Sequence, residues 1–147
     1  MEAKELMIGD LVRVSKDVCF KKGTIVKIHG IDADHVFPEK GLKGVASCMP
    51  VNDPDRVTSG VWCDYLEPIP LTEEMLKANG YEEHVGEKGA YGVTIAPHFK
   101  RDDSPEVFCD GHPFAVWFDE PVDIKYVHQL QHILRLCGAE KEIELKQ

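Results

Sequence analysis

Residues 67–81, "EPIPLTEEMLKANGY", divide the sequence into two parts of different character. Pro68 and Pro70 cannot donate the hydrogen bonds of a sheet, so they end any strand that precedes them. Thr72 is a good N-cap because its hydroxyl can accept a hydrogen bond from the first helical turn. Gly80 can adopt the left-handed conformation that closes a helix. The stretch therefore predicts the end of a strand, a short helix and a boundary between two regions.

The region before this boundary, residues 1–69, has the pattern of short strands separated by turns. Alternating or strongly β-prone residues occupy four segments: "DLVRV" (10–14), "GTIVKIHGI" (23–31), "VASCM" (45–49) and "GVWCDYL" (60–66). Residues 32–44, "DADHVFPEKGLKG", contain too much Asp, Pro and Gly for a regular element and are predicted to be irregular. Four or five short strands in this arrangement predict a small SH3-like β-barrel module.

The second region, residues 70–147, mixes strands and helices. "YGVTIAPHF" (91–99) is typical of a strand, and "VFCDGHPFAVWF" (107–118) predicts an antiparallel hairpin whose Asp110-Gly111 pair favours a tight turn. A second helix is expected over residues 126–137, after which "EKEIELKQ" either adds an edge strand or frays. The predicted class is α+β, a barrel module followed by a mixed region with two helices and a hairpin. The alternative is that both regions form one compact unit.

Composition and charge restrict the class of protein. The 147 residues are 43% hydrophobic, which is enough for a core without a metal or disulfides. The five cysteines form no C-x-x-C pair, which favours reduced thiols, and no apolar run approaches the length of a membrane span. The formal net charge of −9 opposes attraction to phosphate and disfavours nucleic acid as a partner. We therefore expect a cytoplasmic protein that does not enter a membrane.

The segment "YVHQLQHILRLCG", residues 126–138, carries the most suggestive pattern. His128 and His132 have the spacing of a helical zinc-peptidase motif, but Gln129 stands where the glutamate that serves as general base would be. At 100° per residue, His128, His132 and Arg135 lie opposite the apolar face. They are predicted to face solvent and to form a candidate binding surface.

A structural zinc ion is the alternative use of these histidines. Cys109 and His112 precede the helix with zinc-finger-like spacing, so Cys109, His112, His128 and His132 form a candidate ligand set. Otherwise the sequence implies no cofactor. It contains no G-x-S-x-G elbow and no phosphate-binding loop, and Cys63 beside Asp64 is better explained as a buried thiol than as a nucleophile.

Three stretches, "ELMIGDLVRV", "LEPIPLTEEMLKANGY" and "YVHQLQHILRLCGAEKEIEL", resemble a group of small proteins of gut bacteria, their phages and mobile elements. Their order and spacing cover about half of the chain. Members often read H-E-L-Q-H where this sequence has "HQLQH", so Gln129 is a departure. The group's function is unknown, so the resemblance implies no activity and no site residues.

These observations favour a non-catalytic adaptor that binds a protein partner, as an accessory protein of a phage or mobile element. One alternative is a nucleic-acid-binding small-barrel module. A second is a zinc-stabilised domain or an enzyme derived from the H-x-x-x-H helix. The sequence leaves the partner's identity and the oligomeric state open.

Overall fold

The computed structural model describes residues 1–109 and 113–146, and in it the protein is an α+β protein with two antiparallel five-stranded sheets and two α-helices. The α+β class predicted from the sequence is therefore confirmed. The chain divides into two compact units, Met1–Ile69 with the residues from Leu145 onward, and Pro70–Glu144. Neither helix in the described part of the chain has the length and apolar character that crossing a membrane requires.

Five strands form the sheet of the first unit: β1 Leu11–Val14, β2 Ile25–Phe37, β3 Leu42–Pro50, β4 Ser59–Trp62 and β5 Leu66–Glu67. Their order is β4-β3-β2-β1-β5, and a 3-10 turn, Cys63–Tyr65, leads from β4 into β5. Among the described residues no pairing joins β4 to β5, so the predicted barrel is seen as an open sheet. Strand β5 has only two residues, and both pair with β1.

Residues 32–44 are more regular than the sequence predicts. Strand β2 continues to Phe37, which pairs with Leu42 of β3 across a tight turn. The register of the β2–β3 pair shifts twice, between Ile28 and Gly30 and between Asp32 and Val36. The turn itself is confined to a 3-10 turn at Pro38–Lys40 and to Gly41, whose φ of 64° suits glycine. Asp32 pairs with Val45 and Val36 with Lys43, so pairing with β3 fixes both ends of "DADHV", which no local pattern indicates.

The core of the first unit lies on one face of its sheet. Strand β3 alternates strictly, with every second residue buried, as a half-buried antiparallel strand should. The buried residues of this core come from all five strands and from the segments beside them: Leu6, Val12, Val14, Phe20, Val26, Ile28, Ala46, Cys48, Val61, Cys63 and Leu66.

The second unit contains the other sheet and both helices. Its strands are β6 Glu82–His84, β7 His98–Lys100, β8 Val107–Phe108, β9 Phe114–Trp117 and β10 Pro121–Ile124, in the order β10-β9-β8-β7-β6. The helices are α1 Glu73–Ala78 and α2 Val127–Leu136. Antiparallel pairing of β8 with β9 confirms the predicted hairpin. Its Asp110-Gly111 turn lies outside the described residues.

Helix α1 begins and ends as its sequence predicts. The Thr72 hydroxyl accepts a hydrogen bond from the Met75 N–H at 3.3 Å, and Gly80 has a φ of 83°. Leu76, on the inner face of the helix, is fully buried. The capping residues Thr72 and Gly80 were therefore sufficient to predict where α1 begins and ends.

Two other local predictions were wrong in extent. Of residues 91–99, only the last two belong to a strand, because Ala90–Gly92 form a 3-10 turn with Tyr91 at a φ of 60°. The C-terminal segment forms no strand within the described residues. It is held instead by Asn79, whose amide donates to the Glu144 carbonyl at 2.9 Å and accepts from the Glu144 N–H at 2.7 Å.

Two leucines of α2 provide a matched test of the packing. Leu134 is 2% exposed, whereas Leu136, on the same helix, is 84% exposed. We expect Leu134→Ala to lower the free energy of unfolding by about 2–5 kcal/mol, because it removes buried methyl groups and leaves a cavity. Leu136→Ala should change it by less than about 0.5 kcal/mol. Urea denaturation followed by circular dichroism measures both, and equal losses would contradict the placement of the helix.

Candidate functional site

The histidine helix is less open to solvent than its sequence predicts. His128 is only 6% exposed, so the prediction that it faces solvent was wrong. The buried residues of α2 cover an arc of about 220° at 100° per residue, and His128 falls at one edge of that arc. Its ring stacks on Tyr126 at a centroid distance of 5.9 Å and meets His132 edge-on at 5.6 Å. A helical wheel gives the order of residues around a helix, but it does not give the width of the buried face.

The other two side chains of the predicted binding surface contact neighbouring residues. Arg135 pairs with Glu142 at 3.3 Å, and its side chain is largely buried. His132 is half-buried beside His128. His128, His132 and Arg135 therefore do not form an open, unpartnered face.

Gln129 has a structural role at the start of α2. Its side-chain oxygen accepts hydrogen bonds from the backbone N–H groups of Lys125 at 2.8 Å and Tyr126 at 3.1 Å. These bonds satisfy two backbone donors that lie directly before the first helical residue, as a capping side chain at the third helical position does. Gln129, the residue that departs from the peptidase pattern, is thus part of a helix cap.

The zinc set predicted from the sequence includes His112, which lies outside the described residues. Of its other members, Cys109 is half-buried, and its N–H donates to the Pro97 carbonyl at 3.0 Å. Cys109, His128 and His132 do not form a metal-ligand group among the described residues. The group that does form one there consists of His84, Glu87 and His98, whose ligand atoms all lie within 4.8 Å of one another.

Strand pairing brings this second group together. His84 ends β6 and lies directly opposite His98, the first residue of β7. Their rings stack at a centroid distance of 5.4 Å with an interplanar angle of 12°. Glu87 follows in the loop after β6, where its carbonyl accepts a hydrogen bond from the Ile95 N–H at 2.8 Å. The loop thus folds back and places a carboxylate beside two imidazoles.

The Glu87 carboxylate is the centre of the group. Its Oε2 lies 3.2 Å from His84 Nδ1 and 3.4 Å from His98 Nε2, and its Oε1 lies 3.3 Å from Lys100 Nζ. The Lys100 ammonium, aided by both imidazoles, holds the pKa of Glu87 below its usual value. The carboxylate is therefore ionised at neutral pH.

A second candidate surface lies in the first unit and consists of three aromatic side chains. The Trp62 ring lies 5.3 Å from His35 and 6.4 Å from Phe37, measured between centroids. His35 is exposed, and the other two residues are half-buried. Two of these residues come from the extension of β2 that the sequence did not predict, so no local pattern could have indicated this aromatic cluster.

Cys63 does not have the properties of a nucleophile. It is fully buried in the core of the first unit, and burial raises the pKa of its thiol. The neighbouring Asp64 carboxylate accepts a hydrogen bond from the Lys43 N–H at 3.1 Å. Cys48 is buried as deeply, and burial raises its pKa to about 12. Both residues therefore behave as small core hydrophobes.

The fold and these sites define an α+β protein with two antiparallel sheets and two separate groups of polar and aromatic side chains. Comparison with protein-family models, with curated proteins and with solved structures finds no match to this chain. The resemblance to the gut-bacterial group stays a prediction.

Thiol reactivity tests the assignment of the cysteines. Because only the thiolate attacks alkylating reagents, a short pulse of iodoacetamide at pH 8 should modify the exposed Cys19 and Cys137. Cys48 and Cys63, with raised pKa values and no access, should stay unmodified until the protein is unfolded. Peptide mapping by mass spectrometry measures the extent at each position. Rapid labelling of Cys63 in the folded protein would restore it as a candidate nucleophile.

Proposed function

We propose that this is a non-catalytic binding protein that holds a protein partner on the aromatic cluster formed by His35, Phe37 and Trp62. The observation that carries the proposal is the gathering of three rings on a partly exposed surface. Tryptophan and other aromatic side chains contribute much of the binding energy at protein interfaces, because they bury a large rigid area at low entropic cost.

Charge indicates the kind of partner. The exposed Asp32 lies beside the cluster, with its carboxylate 3.8 Å from His35 Nδ1, and the whole chain carries a net charge of −9. Complementary charge favours a partner surface with basic side chains, since it speeds association and excludes acidic competitors. A guanidinium group of the partner could stack on the Trp62 ring while it pairs with the Asp32 carboxylate.

The architecture of the first unit supports the same proposal. Its strand order, with β1 between β2 and β5 and a 3-10 turn before β5, is consistent with the interpretation of this unit as an SH3-like module. Modules of that type commonly bind peptides in aromatic-lined grooves. The accessory role in a phage or mobile element, implied by the resemblance, belongs to the same proposal.

Two tryptophan substitutions locate the binding surface. We expect Trp62→Ala to weaken partner binding at least about 10-fold, because it removes the central ring of the cluster. Trp117→Ala removes an exposed tryptophan from the other unit and should leave binding unchanged. Affinity capture from host cells followed by quantitative mass spectrometry identifies the partner, and titration with the purified partner measures the change. Loss of binding in Trp117→Ala alone would contradict the proposal, provided that both variants keep the wild-type melting temperature.

A nucleic-acid-binding role is the second candidate, and one contact favours it. Lys40 Nζ lies 5.5 Å from the centre of the Phe37 ring, so a cation and a stacking surface occur side by side, as in sites for single strands. The net charge of −9 opposes this role. We expect no shift of single-stranded DNA or RNA oligonucleotides in a gel-mobility assay at low salt. A shift that weakens as salt is raised would favour nucleic acid over a protein partner.

A further inference from the structure

We propose that His84, Glu87 and His98 bind a divalent transition-metal ion, with zinc as the metal that best fits the ligands. The site lies in the second unit and is independent of the aromatic cluster, so it goes beyond the proposed binding role. Two imidazoles and one carboxylate suit zinc and its first-row neighbours, whereas calcium and magnesium prefer oxygen ligands alone.

The distances between ligand atoms agree with such a centre. A zinc ion binds nitrogen and carboxylate oxygen at about 2.0–2.2 Å, so the ligand atoms of a tetrahedral site lie about 3.3–3.6 Å apart. Glu87 Oε2 lies 3.2 Å from His84 Nδ1 and 3.4 Å from His98 Nε2. Two edges of the tetrahedron are therefore already formed. The third, between the imidazole nitrogens, is within 4.8 Å and would shorten when a metal ion binds.

The hydrogen bonding of His98 prepares its other nitrogen for a metal. His98 Nδ1 lies 2.7 Å from the Ala96 carbonyl oxygen, which can only accept, so Nδ1 carries the hydrogen. In the neutral ring the lone pair is then on Nε2, which faces Glu87. Metal-binding histidines are commonly fixed in this way by a carbonyl behind the ring.

His98 is buried, so the hydrogen bonding of both its ring nitrogens has to be accounted for within the protein. The residue is only 1% exposed, and among the described residues Nε2 has no hydrogen-bond partner, because the 3.4 Å contact with Glu87 lacks hydrogen-bond geometry. Buried polar atoms without a partner are rare and costly. An ionic network of Glu87 with Lys100 accounts for the carboxylate, but it leaves this nitrogen unsatisfied. A metal ion satisfies it.

The site also has access to solvent. His84 and Lys100 line a groove of about 500 Å³, together with Glu82 and Arg101. Of the three ligands, His84 is the one that lines this groove. Three protein ligands leave at least one position of a four-coordinate zinc ion open, which a water molecule would fill. Lys100, which contacts Glu87 Oε1, orients the carboxylate from outside the coordination sphere.

The test uses the full-length protein without an affinity tag, stripped of metal and titrated with Zn²⁺ alone. Competition with a chromophoric chelator gives the stoichiometry and Kd, and the visible spectrum of the Co²⁺ form reports the coordination geometry. We expect one ion per chain with a four-coordinate Co²⁺ spectrum. At a Zn²⁺ concentration 100 times Kd, Tm should rise by roughly 5–10 °C.

Variants separate this site from the one predicted on α2. Glu87→Gln and His84→Ala should each weaken Zn²⁺ binding by at least about 100-fold, since loss of an outer partner alone costs about 10–100-fold. Both side chains are partly exposed, so we expect both variants to fold, and His84→Ala, which leaves the Glu87–Lys100 pair intact, to keep the wild-type Tm without metal. His132→Ala is the matched control and should bind Zn²⁺ as the wild type does.

Three results would overturn the proposal. They are the lack of stoichiometric Zn²⁺ binding by the wild type, wild-type affinity in both Glu87→Gln and His84→Ala, or loss of binding in His132→Ala alone. The last result would assign the metal to the set that includes Cys109 and His112.

Discussion

The register of one short strand pair, β6 with β7, determines the chemistry of the second unit. Side chains alternate between the faces of a strand, so a shift by one residue would move His98 to the opposite face. Phe99 prevents such a shift, because it is fully buried and would have to exchange places with a polar neighbour. The same alternation places His98 and Lys100 on one face, where both reach Glu87. Burial of Phe99 on one face of β7 therefore places His98 and Lys100 on the other face.

Local signals in the sequence were sufficient for some elements and insufficient for others. Thr72 and Gly80 act through bonds and dihedral angles within one helix, so their roles could be predicted from neighbouring residues alone. The extension of β2 and the open edge of its sheet depend on pairing with β3 and on the length of β5, which are non-local properties. The sequence pattern correctly predicted the α+β class and the hairpin. It also predicted a barrel, whereas the described residues of the first unit form an open sheet.

The candidate sites show the same division. The histidines of α2 were conspicuous because they lie four residues apart, yet the helix turns His128 inward. Glu87 lies three residues after His84, and His98 follows eleven residues later, so no common motif describes the second group. A signal was present in the sequence, namely two histidines and a glutamate within fifteen residues. It becomes meaningful only when the strands are paired.

Residues that support the resemblance to the gut-bacterial group also have structural roles in this chain. Asp10 of the "IGD" stretch is buried, and its carboxylate accepts a hydrogen bond from the Met7 N–H at 2.8 Å. Thr72 caps α1, and Gln129, in the final stretch, caps α2. Such residues specify turns and helix ends, so their pattern carries information about the fold and little about function. Function is better sought in side chains such as Trp62 and Glu87, which lie outside these caps.

The interaction of Lys100 with Glu87 explains how the second unit can be stable both without and with a metal ion. When no ion is bound, the ammonium compensates the charge of the carboxylate, which is consistent with the lowered pKa of Glu87. Lys100 Nζ donates to Oε1 at 3.3 Å and also to Oε2 at 3.5 Å, and Oε2 is the oxygen that faces the two imidazoles. An ion bound there would share the carboxylate with Lys100. The positive charge of Lys100 opposes a second cation, which lowers the affinity, whereas the ionised carboxylate favours it. Because the sheet and helices already bury a core of their own, metal binding would add stability to this unit without being required for its folding.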